Sequence, residues 1–435
     1  MTNPLLSQHF ASRQPSAIRL AQIEFMKRTG NITALNAAIG NVSLPLHPAI
    51  QKRIFNLKAD TSPFKNGVVG YSPTVGTKEC QQAFLKVIKA SNCDTDGLFV
   101  QITDGGSAAM ELVILGCCGP AGTTEKPLLV IDAAYTNYIS MADRVGRGIV
   151  SMQRKLQDDG KFTLPDTEEI EKIIQENDPG ALVVIPYDNP TGHFYDHETM
   201  IQLAKICVKY NLWIISDEAY RELHYGDNES SSIWRITEDE VPGITGRRMS
   251  IETASKVWNG CGLRIGAIVT DNQKFHEQSV AEYTANLCPN SIGQYIFGAL
   301  AHENLDDLHQ WFDKLRSYYK GLMVKLTDDL KSRLPGVIVS SPDASIYSVV
   351  DVKNIAKEGF DANEFVLYCS QKGSIDINGK PMTLLCSPMD GFYNIKKGEA
   401  NPGKTQMRIA YVLQPDEIAL VPELFVKLFE EYENK

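Results

Sequence analysis

Lys256 lies in Thr253-Ala254-Ser255-Lys256, with Arg264 eight positions on; Asn189-Pro190-Thr191-Gly192 and Asp217-Glu218-Ala219-Tyr220 precede it. These residue types suit amine chemistry on a bound aromatic ring. A lysine amine forms a Schiff base, and a carboxylate keeps a ring nitrogen protonated. An amide and a phenol hydrogen-bond a ring oxygen, and an arginine binds a phosphate. Those are the demands that pyridoxal phosphate (PLP) makes of a protein, and this chain meets all five.

Taken singly, each residue also has a plainer reading. Asp217 closes the apolar run 212–216, so its carboxylate emerges at a strand's carboxyl end; the alternative is a helix cap. Asn-Pro-Thr-Gly alone is a turn sequence, and a tyrosine near a strand end, as Tyr220 is, is commonly just packed. Gly105, Gly106, Ser107 and Ala108 open a helix whose free N–H groups and positive end suit an anion, yet Gly-Gly-Ser there is more often a tight turn. The Thr253 and Ser255 hydroxyls flank the lysine and join Arg264 as phosphate ligands. His193 and His197 are four apart, but His193 falls in the turn after Gly192, so no metal site is expected. Cys261 has no base paired with it and reads as structural.

These residues need elements that bring them together. Between residues 98 and 270, apolar runs alternate with amphipathic segments of helical length. The strand candidates are 98–103, 127–133, 181–187, 212–216, 249–254 and 265–270; the helix candidates are 107–117, 166–177 and 196–210. The alternation predicts an α/β sheet covered by helices on both faces, with ligands at the strands' carboxyl ends. Residues 304–334 read as one long helix. Residues 336–352 and 406–413 read as strands of a smaller domain, and 373–404, rich in Gly, Pro, Lys and Asn, is expected to contain a long surface loop over or beside the site.

With 435 residues the chain is long enough for a large domain and a smaller one. Its 43 basic and 53 acidic side chains leave a net charge of -10, which disfavours nucleic acid and anionic lipid as partners. No run of about 18 apolar residues predicts a membrane span, and residues 1–22 lack a signal peptide's apolar core. Nine cysteines without a CxxC pair suit a reducing compartment, so a cytoplasmic protein is expected.

The order and wording of the motifs resemble the class I/II aminotransferases of the aspartate aminotransferase family, over about residues 36–412. The best marker is the segment from Thr253 to Gly266, which departs from the usual pattern at Thr253 and at Gly260. The resemblance implies a fold type I PLP-dependent transferase: a large domain (46–314) with a mostly parallel central sheet flanked by helices, plus a smaller α+β domain built from 1–45 and 315–435. It implies that Tyr135 stacks on the cofactor ring, that Arg408 binds the substrate α-carboxylate, and that Gly40 places its backbone near that carboxylate. It also implies that Tyr71 reaches the phosphate in a neighbouring subunit, making a homodimer with shared sites.

The resulting expectation is transfer of an amino group between an α-amino acid and a 2-oxo acid in a ping-pong mechanism. Lys256, Asp217 and Tyr220 would act at the reacting centre, and Asn189 and Arg408 would hold substrate. One rival is a PLP lyase of the same fold, a C–S lyase or an aminocyclopropane-carboxylate synthase relative. A second is a regulatory PLP-binding domain, disfavoured by the acidic balance and by the few residues ahead of Asn36. Ser345-Ile346-Tyr347-Ser348 and residues 387–393 are expected to shape the side-chain pocket. The sequence places no second arginine there.

Overall fold

The computed structural model describes every residue except 1–3, 121, 123–125, 227, 228 and 397. Its centre is a seven-stranded sheet: β1 (Phe99–Thr103), β2 (Leu128–Asp132), β3 (Ile149–Gln153), β4 (Ala181–Val184), β5 (Trp213–Asp217), β6 (Arg248–Thr253) and β7 (Gly266–Thr270). The order across it is β1-β7-β6-β5-β4-β2-β3, and β7 alone runs antiparallel to its neighbours. Six of the seven strands match the expected runs. β3, an edge strand of sequence IVSMQ with a half-exposed pattern, was not among them.

The strands read as unbroken apolar runs because both faces are covered. Leu128 and Val130 of β2 face one core with Val113 and Ile114 of helix α1 (Gly106–Cys118), while Leu129 and Ile131 face the other. The expected helices begin at capped starts: Asp166, Asp196 and Asn304 each accept a backbone N–H from the first turn of the helix that follows. The last of these opens α2 (Leu305–Arg333), which buries Leu308, Phe312, Leu315, Tyr319, Leu322 and Leu326 along one stripe.

Two sequence expectations change. Residues 336–352 hold two short strands, Ile338–Val339 and Tyr347–Asp351, paired antiparallel and separated by a turn in which Ser345 has φ 66°. Residues 373–404 are not one long loop. Ile375–Ile377 and Lys380–Leu385 form a hairpin, and Lys380–Leu385 also pairs in parallel with Thr33–Asn36. Ser387–Pro388 then pairs with Gln406–Ala410, which lies beside Tyr347–Asp351. Segments from both chain ends therefore meet in the smaller sheets.

Candidate active site

Register builds the site at one end of the central sheet. Gly266 opens β7 opposite both Thr103, the last residue of β1, and Thr253, the last of β6. Asp217 ends β5 opposite Ile251. The Gly105-Gly106-Ser107 turn, the Thr253-to-Lys256 segment and the Asp217 carboxylate thus emerge along one rim. A side chain at Gly266 would run into the backbone of Gly105 and Gly106, 2.5 Å from its Cβ, so close approach requires glycine.

The rim borders a cavity of about 310 Å³, near the lower end of the ~300–1,000 Å³ typical of small-molecule sites. Lys256, Asp217, Tyr220, Asn189, Tyr135 and Arg408 all line it, as do Gly40, Gly106, Ser107, Thr253, Ser255 and Arg264. Two of the expected residues do not. Ala108 is half-buried one residue further into α1, and Tyr71 is 83% exposed on the surface.

The Lys256 amine donates to the Gly40 carbonyl at 2.5 Å. A Cβ at Gly40 would fall on the Tyr347 hydroxyl, which accounts for glycine there. Tyr347 shares a 2.9 Å hydrogen bond with Tyr220, and burial raises the Tyr220 phenol well above its usual range. Arg408 is 4% exposed and stacks over the Tyr347 ring, 4.1 Å from its centroid. One arm of its guanidinium donates to Asn189 Oδ1 and another to the Ala38 carbonyl, each at 2.7 Å. Arg264 has a left-handed backbone (φ 52°) and donates to the Cys261 carbonyl at 2.9 Å. The Thr253 and Ser255 hydroxyls hydrogen-bond each other at 2.8 Å.

Asp217 accepts the Tyr138 hydroxyl at 2.5 Å and the Ala219 N–H at 3.2 Å. Burial pushes its carboxyl up to about 6, and those two donors hold it down. Burial likewise pushes the Tyr135 phenol up to about 12; its oxygen accepts from Asn137 at 2.7 Å.

Phe392 lines the cavity from the 387–393 segment expected to shape the pocket. Sequence reasoning passed over three groups here. Tyr138 carried the same helical spacing as a core residue, three after Tyr135. Arg19 lines the cavity from the N-terminal segment. Cys261, read as structural, also lines it, with Sγ 4.0 Å from the Lys256 amine. None had a local signal beyond its residue type.

A mostly parallel sheet with an amine, a carboxylate and three guanidinium groups around one cavity at its strand ends defines an α/β enzyme acting on small anionic molecules. The family model "Aminotransferase class I and II" matches residues 55–378, and the chain belongs to this family of PLP-dependent aminotransferases. The aspartate/prephenate aminotransferase of Thermus thermophilus is 23% identical over 370 residues, covering 83% of this chain and 88% of its own. A cystathionine beta-lyase of Bacillus subtilis is 22% identical over 338 residues, covering 77% and 81%. The fold matches that of Pyrococcus horikoshii kynurenine aminotransferase, solved in complex with PMP, at TM-score 0.77 and 18% identity, covering 98% of this chain and 97% of that one.

The cavity wall fits the cofactor. Asp217 is a half-buried carboxylate that makes no ion pair with a described side chain, which suits a protonated pyridine nitrogen. Arg408 Nε is buried without a partner. The free N–H groups at the start of α1, beside Arg264 and two hydroxyls, make a donor set for a phosphate.

Proposed function

We propose that Lys256, Asp217 and Arg408 divide the work of transamination between an α-amino acid and a 2-oxo acid. The observation that carries this reading is that all three side chains line one cavity. When bound, PLP supplies an electron sink for the pair of electrons left on the substrate Cα. Arg408 would hold the substrate carboxylate in its fork, with Asn189 and Gly40 beside it, and so orient the Cα–H bond. Lys256 would take the Cα proton as general base and deliver it to cofactor C4′, the carbon on the far side of the amino nitrogen. Asp217 would keep the ring nitrogen positive, and Asn189 and Tyr220 would donate to the ring oxygen. Gly106, Ser107, Ala108, Thr253, Ser255 and Arg264 would hold the phosphate, and Tyr135 would cover the ring face.

The decisive experiment is a visible spectrum of the PLP-loaded protein titrated with single amino acids and no oxo acid. Loss of the visible band to the near-ultraviolet band of pyridoxamine phosphate supports the reading. Elimination products without that conversion would instead favour the lyase reading, which the Bacillus subtilis relative keeps open.

Assembly as a homodimer with shared sites accompanies this reading. Its support is Tyr71, exposed beside Val68, Val69 and Leu287; the segment is tied to its neighbour by Thr74 Oγ1 donating to the Leu287 carbonyl at 2.7 Å. We also take the large unit to span 46–314 and the small one to combine 1–45 with 315–435, a division supported by the pairing of Thr33–Asn36 with Lys380–Leu385. A cytoplasmic location is supported by nine cysteines, all unpaired. No described helix is long and apolar enough to cross a membrane. Sedimentation of the purified protein and of a Tyr71→Ala variant tests the assembly.

A further inference from the structure

Tyr220 and Tyr347 both line the cavity, 4% and 2% exposed, with their hydroxyls 2.9 Å apart. Among the described residues each hydroxyl is the other's one hydrogen-bond partner. The proposed transamination gives Tyr220 a task, donation to the ring oxygen, and leaves Tyr347 without one; a role for Tyr347 rests on that reading.

Backbone and ring contacts fix where the Tyr347 hydroxyl lies. Its strand, Tyr347–Asp351, pairs with Gln406–Ala410, with Tyr347 opposite Ala410. The turn ahead of that strand is laced to the chain just after Tyr220: the Ser345 N–H donates to the Leu223 carbonyl and the Tyr225 N–H to the Asp343 carbonyl, both at 2.8 Å. The Tyr347 ring lies beneath the Arg408 guanidinium and edge-on to the Tyr220 ring, whose centroid is 5.8 Å away. Its hydroxyl takes the space that a Cβ at Gly40 would fill. The two phenols are thus held in register by backbone from the smaller sheet and from the segment that follows β5.

Counting protons sets the direction of the pair. A phenol has one proton to give, and its oxygen can also accept. With the Tyr220 proton given to the ring oxygen, the 2.9 Å contact is made only with Tyr347 as its donor. We infer that Tyr347 is a positioning residue for the cofactor's ring oxygen: its hydroxyl donates to the Tyr220 oxygen and so aims the Tyr220 proton at the ring. A hydroxyl that accepts a hydrogen bond is polarised by it and becomes a better donor itself. On PLP the ring hydroxyl neighbours the carbon that takes the lysine amine. A stronger donor on that oxygen draws off negative charge and lowers the proton affinity of the Lys256 nitrogen when the cofactor is bound.

The test uses the PLP-loaded full chain without substrate and reads the pH midpoint at which its visible absorption changes as that nitrogen loses its proton. Wild type, Tyr347→Phe, Tyr220→Phe and the double variant are compared, with urea melts to check that each is folded. Phenylalanine at 347 keeps a ring under Arg408 and removes only the hydroxyl. The other ionisable groups on the cavity wall, Arg19, Tyr135, Tyr138, Asp217, Cys261, Arg264 and Arg408, are the same in every variant. Tyr347→Phe should raise the midpoint by about 0.4 to 1 pH unit, the worth of one hydrogen bond. Tyr220→Phe should raise it further, and adding Tyr347→Phe to that variant should then change nothing, because the hydroxyl it acts through is gone. An unmoved midpoint in Tyr347→Phe, or an equal shift in both backgrounds, would overturn the inference while leaving transamination standing. An unmoved midpoint in Tyr220→Phe would instead remove Tyr220 from the ring oxygen and the inference with it. A wild-type protein that shows no visible band with PLP would remove the cofactor reading on which both rest.

Discussion

The Arg408 guanidinium donates to Asn189 Oδ1 at 2.7 Å, joining the strand Gln406–Ala410 to the turn after β4 across 219 residues of sequence. The same fork donates to the Ala38 carbonyl, so three distant segments converge on one side chain.

Arg408→Lys keeps the charge and loses the fork. The expected outcome is a fall in kcat/KM for amino acids of about 100-fold or more, because a point charge orients a carboxylate poorly. The visible absorption of bound PLP should persist. Half-reaction kinetics with retained cofactor absorption check this; a fall below about threefold would remove Arg408 from carboxylate binding.

Tyr138 and Asp217 make a pH prediction. Asp217 must be ionised to pair with a ring cation, and its carboxyl lies at about 6 without the cofactor. PLP affinity should therefore be full above that value and decline as the pH falls through it. Tyr138→Phe removes a donor that holds the carboxyl down, so the decline should begin at higher pH. The linkage runs the other way for cofactor-free stability. Between about pH 4 and 6 the folded chain keeps an Asp217 proton that the unfolded chain has released, so this group's contribution falls as pH rises through the window. Asp217→Asn should flatten both profiles. PLP titrations and urea melts from pH 4 to 8 measure them.

Beneath the Asn189 turn, Arg154 pairs with Asp188 at 2.8 Å, the two side chains 0% and 2% exposed. Arg154 also donates to Tyr195 at 2.9 Å and to the Ile131 carbonyl at 3.2 Å. Asp188→Ala leaves that guanidinium buried without its counter-charge and should cost about 3–5 kcal/mol of stability. Because Asp188 also accepts the Thr191 N–H and hydroxyl, the turn should loosen and substrate KM rise with it. Denaturant melts beside steady-state kinetics separate the two effects.

Lys256→Ala removes the amine and leaves the Gly40 carbonyl without its donor. The expected outcome is loss of the visible Schiff-base band and a decline in half-reaction rate of about 10²- to 10⁴-fold, the usual worth of a positioned base. Retention of the wild-type spectrum would place the reactive amine elsewhere.

What the sequence by itself determined is what short-range chemistry encodes. Apolar runs at 98–103, 212–216 and 249–254 announced strands and their functional ends, and amphipathic spacing announced the helices that start after Asp166, Asp196 and Asn304. The motif around Lys256 carried the cofactor. Tertiary structure decided the rest. Residues 373–404 looked like a loop because Lys380–Leu385 finds its parallel partner in Thr33–Asn36, more than 340 residues away. Tyr138 meets Asp217 across 79 residues, and Arg154 meets Asp188 across 34. Arg19 reaches the cavity on a helix that Arg13 and Arg28 tie to separate parts of the fold. A cap or a strand end is written within a few residues; a partner brought in by packing leaves no local trace.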